Sequence, residues 1–312
     1  MGGNQATSVN PFFVNNTPVD IHITTHGSDW YWAVTSVMAV TFLSVVGFGF
    51  RRPTTHRFFH YILGAVALVA TIESFTLASN LGWTPIDVEW QRGGDVAGVN
   101  RQIWYVRYIA WFITWPLITL ALLSTAAMPI PQIIYAAFLA ATMSIMALIG
   151  ALVHSTYKWG YFTFWLVAYF SLLEHTLFTS RRRAVALGAD VQRAFLLPTT
   201  WVAFLWLLYP ICWGVSEGGN VIAPDSEFVF YGVLDVLLIP VTCAGLLFGH
   251  RNIEPDRLGL YLRDYNDPVP GRGVGGVHGE KVGATNGVTN GAGTVEGQAA
   301  TATPADTTST AV

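Results

Sequence analysis

The chain has 312 residues, of which 52% are hydrophobic and 11% charged, with a formal net charge of −3. Ordinary soluble domains carry about 25% charged residues, so two soluble domains fit poorly and one membrane domain with a polar tail fits well. The small net charge gives no reason to expect nucleic acid or an acidic substrate as a partner.

Apolar residues concentrate between Ser28 and His250. The expected organisation is an N-terminal segment over 1–27, a membrane domain over 28–250 and a tail over 251–312. The first 27 residues are polar and lack an apolar stretch of signal-peptide type. The first span is therefore expected to serve as the insertion signal.

A spanning helix needs about 20 predominantly apolar residues. Span one is expected over Trp30–Phe50, stopped by Arg51, Arg52 and Pro53. Span two runs over Phe58–Ser79 and holds one acid, Glu73. The uncharged stretch from Tyr108 to Tyr157 is too long for one crossing. Pro129 and Pro131 divide it, since proline breaks a helix and favours a turn. Spans three and four are then Arg101–Ala127 and Pro131–Val153. Span five is Trp159–Ser180, closed by Arg181, Arg182 and Arg183; span six is Ala194–Val215; span seven is Phe228–His250, closed by Arg251. Cys212 and Cys243 lie in apolar runs and read as small buried hydrophobes.

Basic residues follow spans one, five and seven, whereas Asp87, Glu89, Asp95, Glu217, Asp225 and Glu227 fall on the opposite side. The positive-inside rule then predicts an outer N-terminus and a cytoplasmic C-terminus. Residues 84–100 have the length of a small hairpin, with Gly93-Gly94 as its turn. Asn15-Asn16-Thr17 fits a glycosylation sequon, although so short a match also arises by chance. The Gly- and Thr-rich tail from Asn266 is expected to be disordered.

Several linked motifs carry a resemblance. Span three reads Arg101-Gln-Ile-Trp-Tyr-Val-Arg107-Tyr108-Ile-Ala110-Trp111-Phe-Ile-Thr114-Trp115-Pro116. Span six carries Trp206-Leu-Leu-Tyr209-Pro210-Ile-Cys-Trp213, followed by Ser216-Glu217-Gly218. Span seven has Glu227 and then Asp235. In this order, over roughly residues 20–250, the chain resembles the microbial rhodopsins. The entry segment from Asp20 to Trp32 is similar to fungal members in particular. The resemblance implies an all-α bundle of seven transmembrane helices. Trp111, Trp115, Trp206, Tyr209, Pro210, Trp213 and Ile239 then mark a vestigial retinal pocket.

In that family the retinal lysine lies four residues after the seventh-helix aspartate, and here that position is Ile239. The chain has two lysines, Lys158 at a membrane edge and Lys281 in the tail. No covalent retinal cofactor is therefore expected, while non-covalent binding stays open. The family's proton acceptor and donor positions are Ala110 and Ala121, and Trp115 stands where the pumps have threonine. These departures resemble the opsin-related proteins of fungi, including heat-shock-induced plasma-membrane members in yeasts. That resemblance implies a stress-related role at the plasma membrane. It brings the plasma-membrane proton ATPase into view as a partner, beside the lipid bilayer and self-association into homo-oligomers.

Ionisable groups at bilayer depth are costly and usually face the bundle interior. Arg107, Asp235 and Glu73 lie at similar depth, about two turns from the outer ends of their spans. They are expected to form a buried cluster, either a fold-holding ion pair or a proton-sharing group. Glu217 and Glu227 form an outer acidic pair, read as a solvated rim. Glu174 and His175 read as an interfacial pair, with proton relay as the alternative. No nucleophile–base pair, metal-spaced His/Cys set or phosphate-binding Gly loop appears on the spans, so an enzyme is not expected. The competing readings are an ion or proton transporter and a sensor of a non-covalent apolar ligand.

Overall fold

The computed structural model describes residues 4–14, 17–89 and 99–260. Asn15 and Asn16 of the sequon, the Gly93-Gly94 turn and the tail from Asn266 lie outside the described residues.

Among the described residues seven long helices follow one another: α1 (Thr25–Phe50), α2 (Phe58–Ala78), α3 (Tyr105–Thr125), α4 (Ile130–Leu152), α5 (Lys158–Glu174), α6 (Ala189–Trp213) and α7 (Pro224–Gly249). Six of these, α6 together with the π-helical turn that extends it, are long and apolar enough to cross a membrane. The 17-residue α5 gains length from a π-helical turn over His175–Ser180. Each helix packs on the next, and α1 packs on α7, which closes a ring. α2 also touches α7, and α3 also touches α6. α3 is the most buried of the six.

The helix ends follow local chemistry. α1 starts at Thr25, five residues before Trp30, because Thr24 caps it and accepts from the His26 N–H. The Thr24 backbone N–H also donates to Asp225 Oδ1 at 2.8 Å, which ties the start of α1 to the first turn of α7. Pro129, in extended backbone, leads into α4 with Pro131 in its first turn. There proline's missing N–H costs nothing. α7 begins at Pro224, four residues before Phe228, for the same reason. Arg101 and Gln102 fall outside α3, because they belong to a strand.

That strand is part of the hairpin expected between spans two and three. Two strand pairs are present. β1 (Phe13–Val14) pairs antiparallel with β2 (Thr17–Pro18), and β3 (Thr84–Asp87) with β4 (Asn100–Ile103). The register of the second sets Ile86 opposite Arg101 and Pro85 opposite Gln102. Ile21 adds a parallel bridge to Arg101. This hairpin marks one end of the bundle, where α1, α3, α5 and α7 start. The other end carries Arg51, Arg52, Arg181, Arg182, Arg183 and Arg251.

Outward faces are apolar, with Leu43, Phe138, Phe204 and Phe248 each more than half exposed. A lipid-facing surface accounts for this. Small residues let the helices close up inside. A Cβ on Gly232 of α7 would overlap Trp30 Nε1 of α1, and that nitrogen donates to the Phe228 carbonyl at 3.1 Å. Gly232→Ala is expected to cost about 1–3 kcal/mol, as overpacking does, read as a lower melting temperature in detergent. Gly47→Ala, where a Cβ meets nothing within 4 Å, should leave stability unchanged or raise it.

Candidate functional site

The hairpin end holds a closed network of charges. β4 supplies Arg101, the first turn of α3 supplies Arg107 and Tyr108, and the first turn of α7 supplies Glu227. A π-helical turn over Gly214–Gly218, continuing α6, supplies Ser216 and Glu217. Asn220 follows in left-handed backbone, with φ of 49°, a conformation asparagine tolerates. Its side chain meets the network, accepting from Arg101 Nη1 at 2.6 Å.

The charges alternate. Arg101 Nη2 lies 2.7 Å from Glu227 Oε2. Arg107 Nη1 lies 2.9 Å from Glu227 Oε1 and 3.3 Å from Glu217 Oε1. All four side chains are fully buried. Tyr108 donates to Glu217 Oε1 at 2.8 Å and Tyr231 to Glu217 Oε2 at 3.2 Å. Ser216 donates to the same carboxylate. The Arg107 guanidinium lies over the Tyr231 ring, 3.9 Å from its centroid, a cation–π contact strengthened by desolvation. Two cations and two anions make a neutral unit, the condition on which charges persist away from water.

A second acidic group lies deeper. Asp235, two turns along α7 from Glu227, accepts from Tyr209 at 2.7 Å and from Tyr31 at 3.3 Å. Glu73 of α2 is buried and feels both Asp235 and Arg107 through space. Its Oε1 has no hydrogen-bond partner among the described residues. Arg107, Asp235 and Glu73 thus share a neighbourhood, but the ion pairs of Arg107 go to Glu217 and Glu227. The expected Arg107–Asp235–Glu73 cluster is therefore corrected in its pairing: the three groups are all buried, but among the described residues no ion pair joins Arg107 to Asp235 or Glu73. The π-helical turn brings Glu217 inward, and tyrosine hydroxyls take the place of a cation at Asp235. The reading of Glu217 and Glu227 as a solvated rim is also corrected, since the hairpin and the loop after Gly218 bring Arg101 and Asn220 onto them.

Arg101, Tyr31, Tyr108, Tyr231 and Asn220 were not among the expected site residues, although Arg101 and Tyr108 stand in the span-three motif. Arg101 had a usable signal, being an arginine six residues before Arg107 beside an uncharged span. The tyrosines had none, because aromatic residues are spread throughout the spans.

Below this network the interior is aromatic. Trp111 and Trp115 stack with centroids 4.7 Å apart and planes 12° apart. Trp206 lies 5.2 Å from Trp115, and Tyr209 meets Trp111 edge-on at 5.0 Å. Trp213 stacks on Phe162 at 5.5 Å. Pro210 is buried inside α6, and Ile239 is buried on α7. Ala110 and Ala121 are buried on α3. Lys158 is the first residue of α5, whereas Ile239 is 15 residues beyond the start of α7. Because both helices start at the hairpin end, their depths differ by about 22 Å at 1.5 Å per residue.

Glu174 and His175 diverge. Glu174 is exposed and accepts from Thr179 at 3.1 Å, while His175 is buried edge-on against Tyr135. Successive residues on a helix point about 100° apart, so the two side chains face different surroundings. Among the described residues no His, Cys, Asp and Glu cluster has the makings of a metal site.

A ring of seven membrane helices with an arginine, paired acids and an aromatic interior defines an opsin-type membrane protein. The bacteriorhodopsin-like protein family matches residues 25–238, and the chain belongs to that family. It is 49% identical over 283 residues to the opsin-like protein carO of Fusarium fujikuroi, covering 89% of this chain and 92% of that one. It is 36% identical over 280 residues to a 30 kDa heat shock protein of Saccharomyces cerevisiae, covering 82% of this chain and 81% of that one. Among solved structures it is similar to a light-driven proton pump of Leptosphaeria maculans, with 28% identity and a TM-score of 0.71. That match covers 76% of this chain and 99% of the other.

Breaking one partner out of a buried ion pair costs about 3–5 kcal/mol, mostly through the charge left behind. Arg101→Gln is expected to fall in that range, measured as thermal unfolding in detergent. Adding Glu227→Gln to it should recover more than half of the loss, because the stranded carboxylate goes with it.

Proposed function

We propose that this protein is an opsin-like membrane protein that does not hold retinal covalently, works without photochemistry and serves a regulatory role under stress at the plasma membrane. The observation that carries the reading is Ile239, buried on α7 four residues after Asp235. A Schiff base needs an amine at that place, and an isoleucine side chain has none. Lys158, the one lysine among the described residues, lies about 22 Å away in depth. The stacked Trp111 and Trp115 rings fill space near where a polyene would lie. Covalent retinal therefore does not fit this interior.

Two further observations support a protein that does not pump. Ala110 and Ala121 offer methyl groups where a proton acceptor and donor would be needed. Glu217 and Glu227, both fully buried, are held by two arginines. Each carboxylate is thereby ion-paired to a buried arginine of the protein. The similarity to a yeast heat shock protein supports the stress-related part of the reading.

In this reading the arginine-rich end faces the cytoplasm, as the distribution of basic residues favours. The protein is not an enzyme. It acts through partners, with the plasma-membrane proton ATPase and a second copy of the chain as the leading candidates. Arg181, Arg182 and Arg183, together with the tail over 266–312, are the surfaces such a partner would meet.

The deciding experiment is an absorbance spectrum of the purified protein with all-trans retinal, before and after borohydride. The expected result is no visible band beyond free retinal. A red-shifted band fixed to protein by borohydride would overturn the reading. In liposomes, no ion or proton flux sensitive to Asp235→Asn is expected, and such a flux would favour a transporter. Neutralising Arg181 to Arg183, or deleting 266–312, should change the stress phenotype while leaving the melting temperature unchanged.

A further inference from the structure

At the arginine-rich end a cleft of about 440 Å³ opens between α1 and α7. This is the size of a ligand site, which usually falls between about 300 and 1,000 Å³. Val40, Ser44 and Phe48 of α1 form one wall, and Pro240, Ala244 and Phe248 of α7 form the other. Ser44 and Ala244 are small, exposed residues, so the two helices leave room between them. Pro240 cannot donate a backbone hydrogen bond and loosens α7 at the inner end of the cleft.

The rim differs from the walls. Arg51 and Arg52 at the end of α1 and Arg251 after α7 all line the cleft. The Arg51 guanidinium lies 6.0 Å from the centroid of the Phe48 ring, back over the wall. Among the described residues the ion pairs at this end join His56 to Glu254 and Arg257 to Asp190. They leave Arg51, Arg52 and Arg251 without an acidic partner. The C-terminal dipoles of α1 and α7 favour cations here. A dipole alone, however, does not call for three guanidiniums around one apolar cleft.

The geometry points to an anionic glycerophospholipid as the occupant. One acyl chain lies in the cleft and the phosphate is held by Arg51, Arg52 and Arg251. Depth favours this class. Val40 is 10 residues from the end of α1 and Pro240 is nine from the end of α7, so the cleft runs about 15 Å along the helices. That is half of a hydrocarbon core about 30 Å thick, or one leaflet. The walls lie on the lipid-facing surface, so a chain can enter sideways. Arginine suits the head because its fork bonds phosphate oxygens and it stays charged. Basic pockets between membrane helices bind lipid headgroups in this way.

The test uses the full-length protein in detergent micelles doped with equal amounts of phosphatidylserine and phosphatidylcholine, read by native mass spectrometry. Phosphatidylserine should be retained about tenfold over phosphatidylcholine. The triple variant R51Q/R52Q/R251Q should bring that ratio close to one. Ala244→Trp, which fills the cleft from its lipid-facing side, should lower retention of both lipids. Millimolar inorganic phosphate should not displace the bound lipid. A ratio near one in the unmodified protein, or an unchanged ratio in the triple variant, would overturn the proposal. Displacement by free phosphate would overturn it in favour of a soluble-anion site. If the triple variant does not fold, Ala244→Trp decides, because undiminished retention would show that no chain lies in the cleft. The retinal spectrum does not bear on this outcome, so the two readings can fail separately.

Discussion

A charge buried away from water must find its partners in the protein. The Arg101–Glu227–Arg107–Glu217 alternation meets that requirement, and much of the hairpin end is arranged around it. β4 exists as a strand instead of a first helical turn, which brings Arg101 inward. The π-helical turn after Trp213 lets Glu217 face Arg107. Asn220 and the Ile222 carbonyl complete the bonding of Arg101. Four separate stretches of chain are thereby joined at one place, which a lipid-facing apolar surface could not accomplish.

Below that level the bundle is held by shape. With lipid outside as apolar as the side chains inside, helices gain little from hydrophobic burial and depend on close packing. Gly232 against Trp30 is one such contact. The stacked pair Trp111 and Trp115, with Trp165, Trp206 and Tyr209 around it, is another. Here the rings meet one another directly.

The two ends of the bundle treat charge in opposite ways. At the hairpin end arginines turn inward onto carboxylates and are wholly buried. At the other end Arg51, Arg52 and Arg251 are exposed and gather at the mouth of an apolar cleft. The inward set stabilises the protein against itself, and the outward set is available to something else. That asymmetry is why the proposed contacts with lipid and with protein partners both lie at the arginine-rich end.

How much of this was legible from residues alone depended on range. The spans followed from runs of apolar residues, their stops from Arg51-Arg52-Pro53 and Arg181–Arg183, and the break between α3 and α4 from Pro129 and Pro131. Each of these is local chemistry that a short stretch of chain carries by itself. The family was legible through motifs spaced within single helices, and so was the isoleucine at position 239. The partners of Arg107 were not legible, because depth along a helix says nothing about rotation around it. Asp235 and Glu227 lie on the same helix two turns apart, and either could have faced the arginine. The π-helical turn at Glu217, the strand at Arg101 and the tyrosines at Asp235 decided between them. Those are contacts between residues up to 204 positions apart, set only when the helices close into a ring.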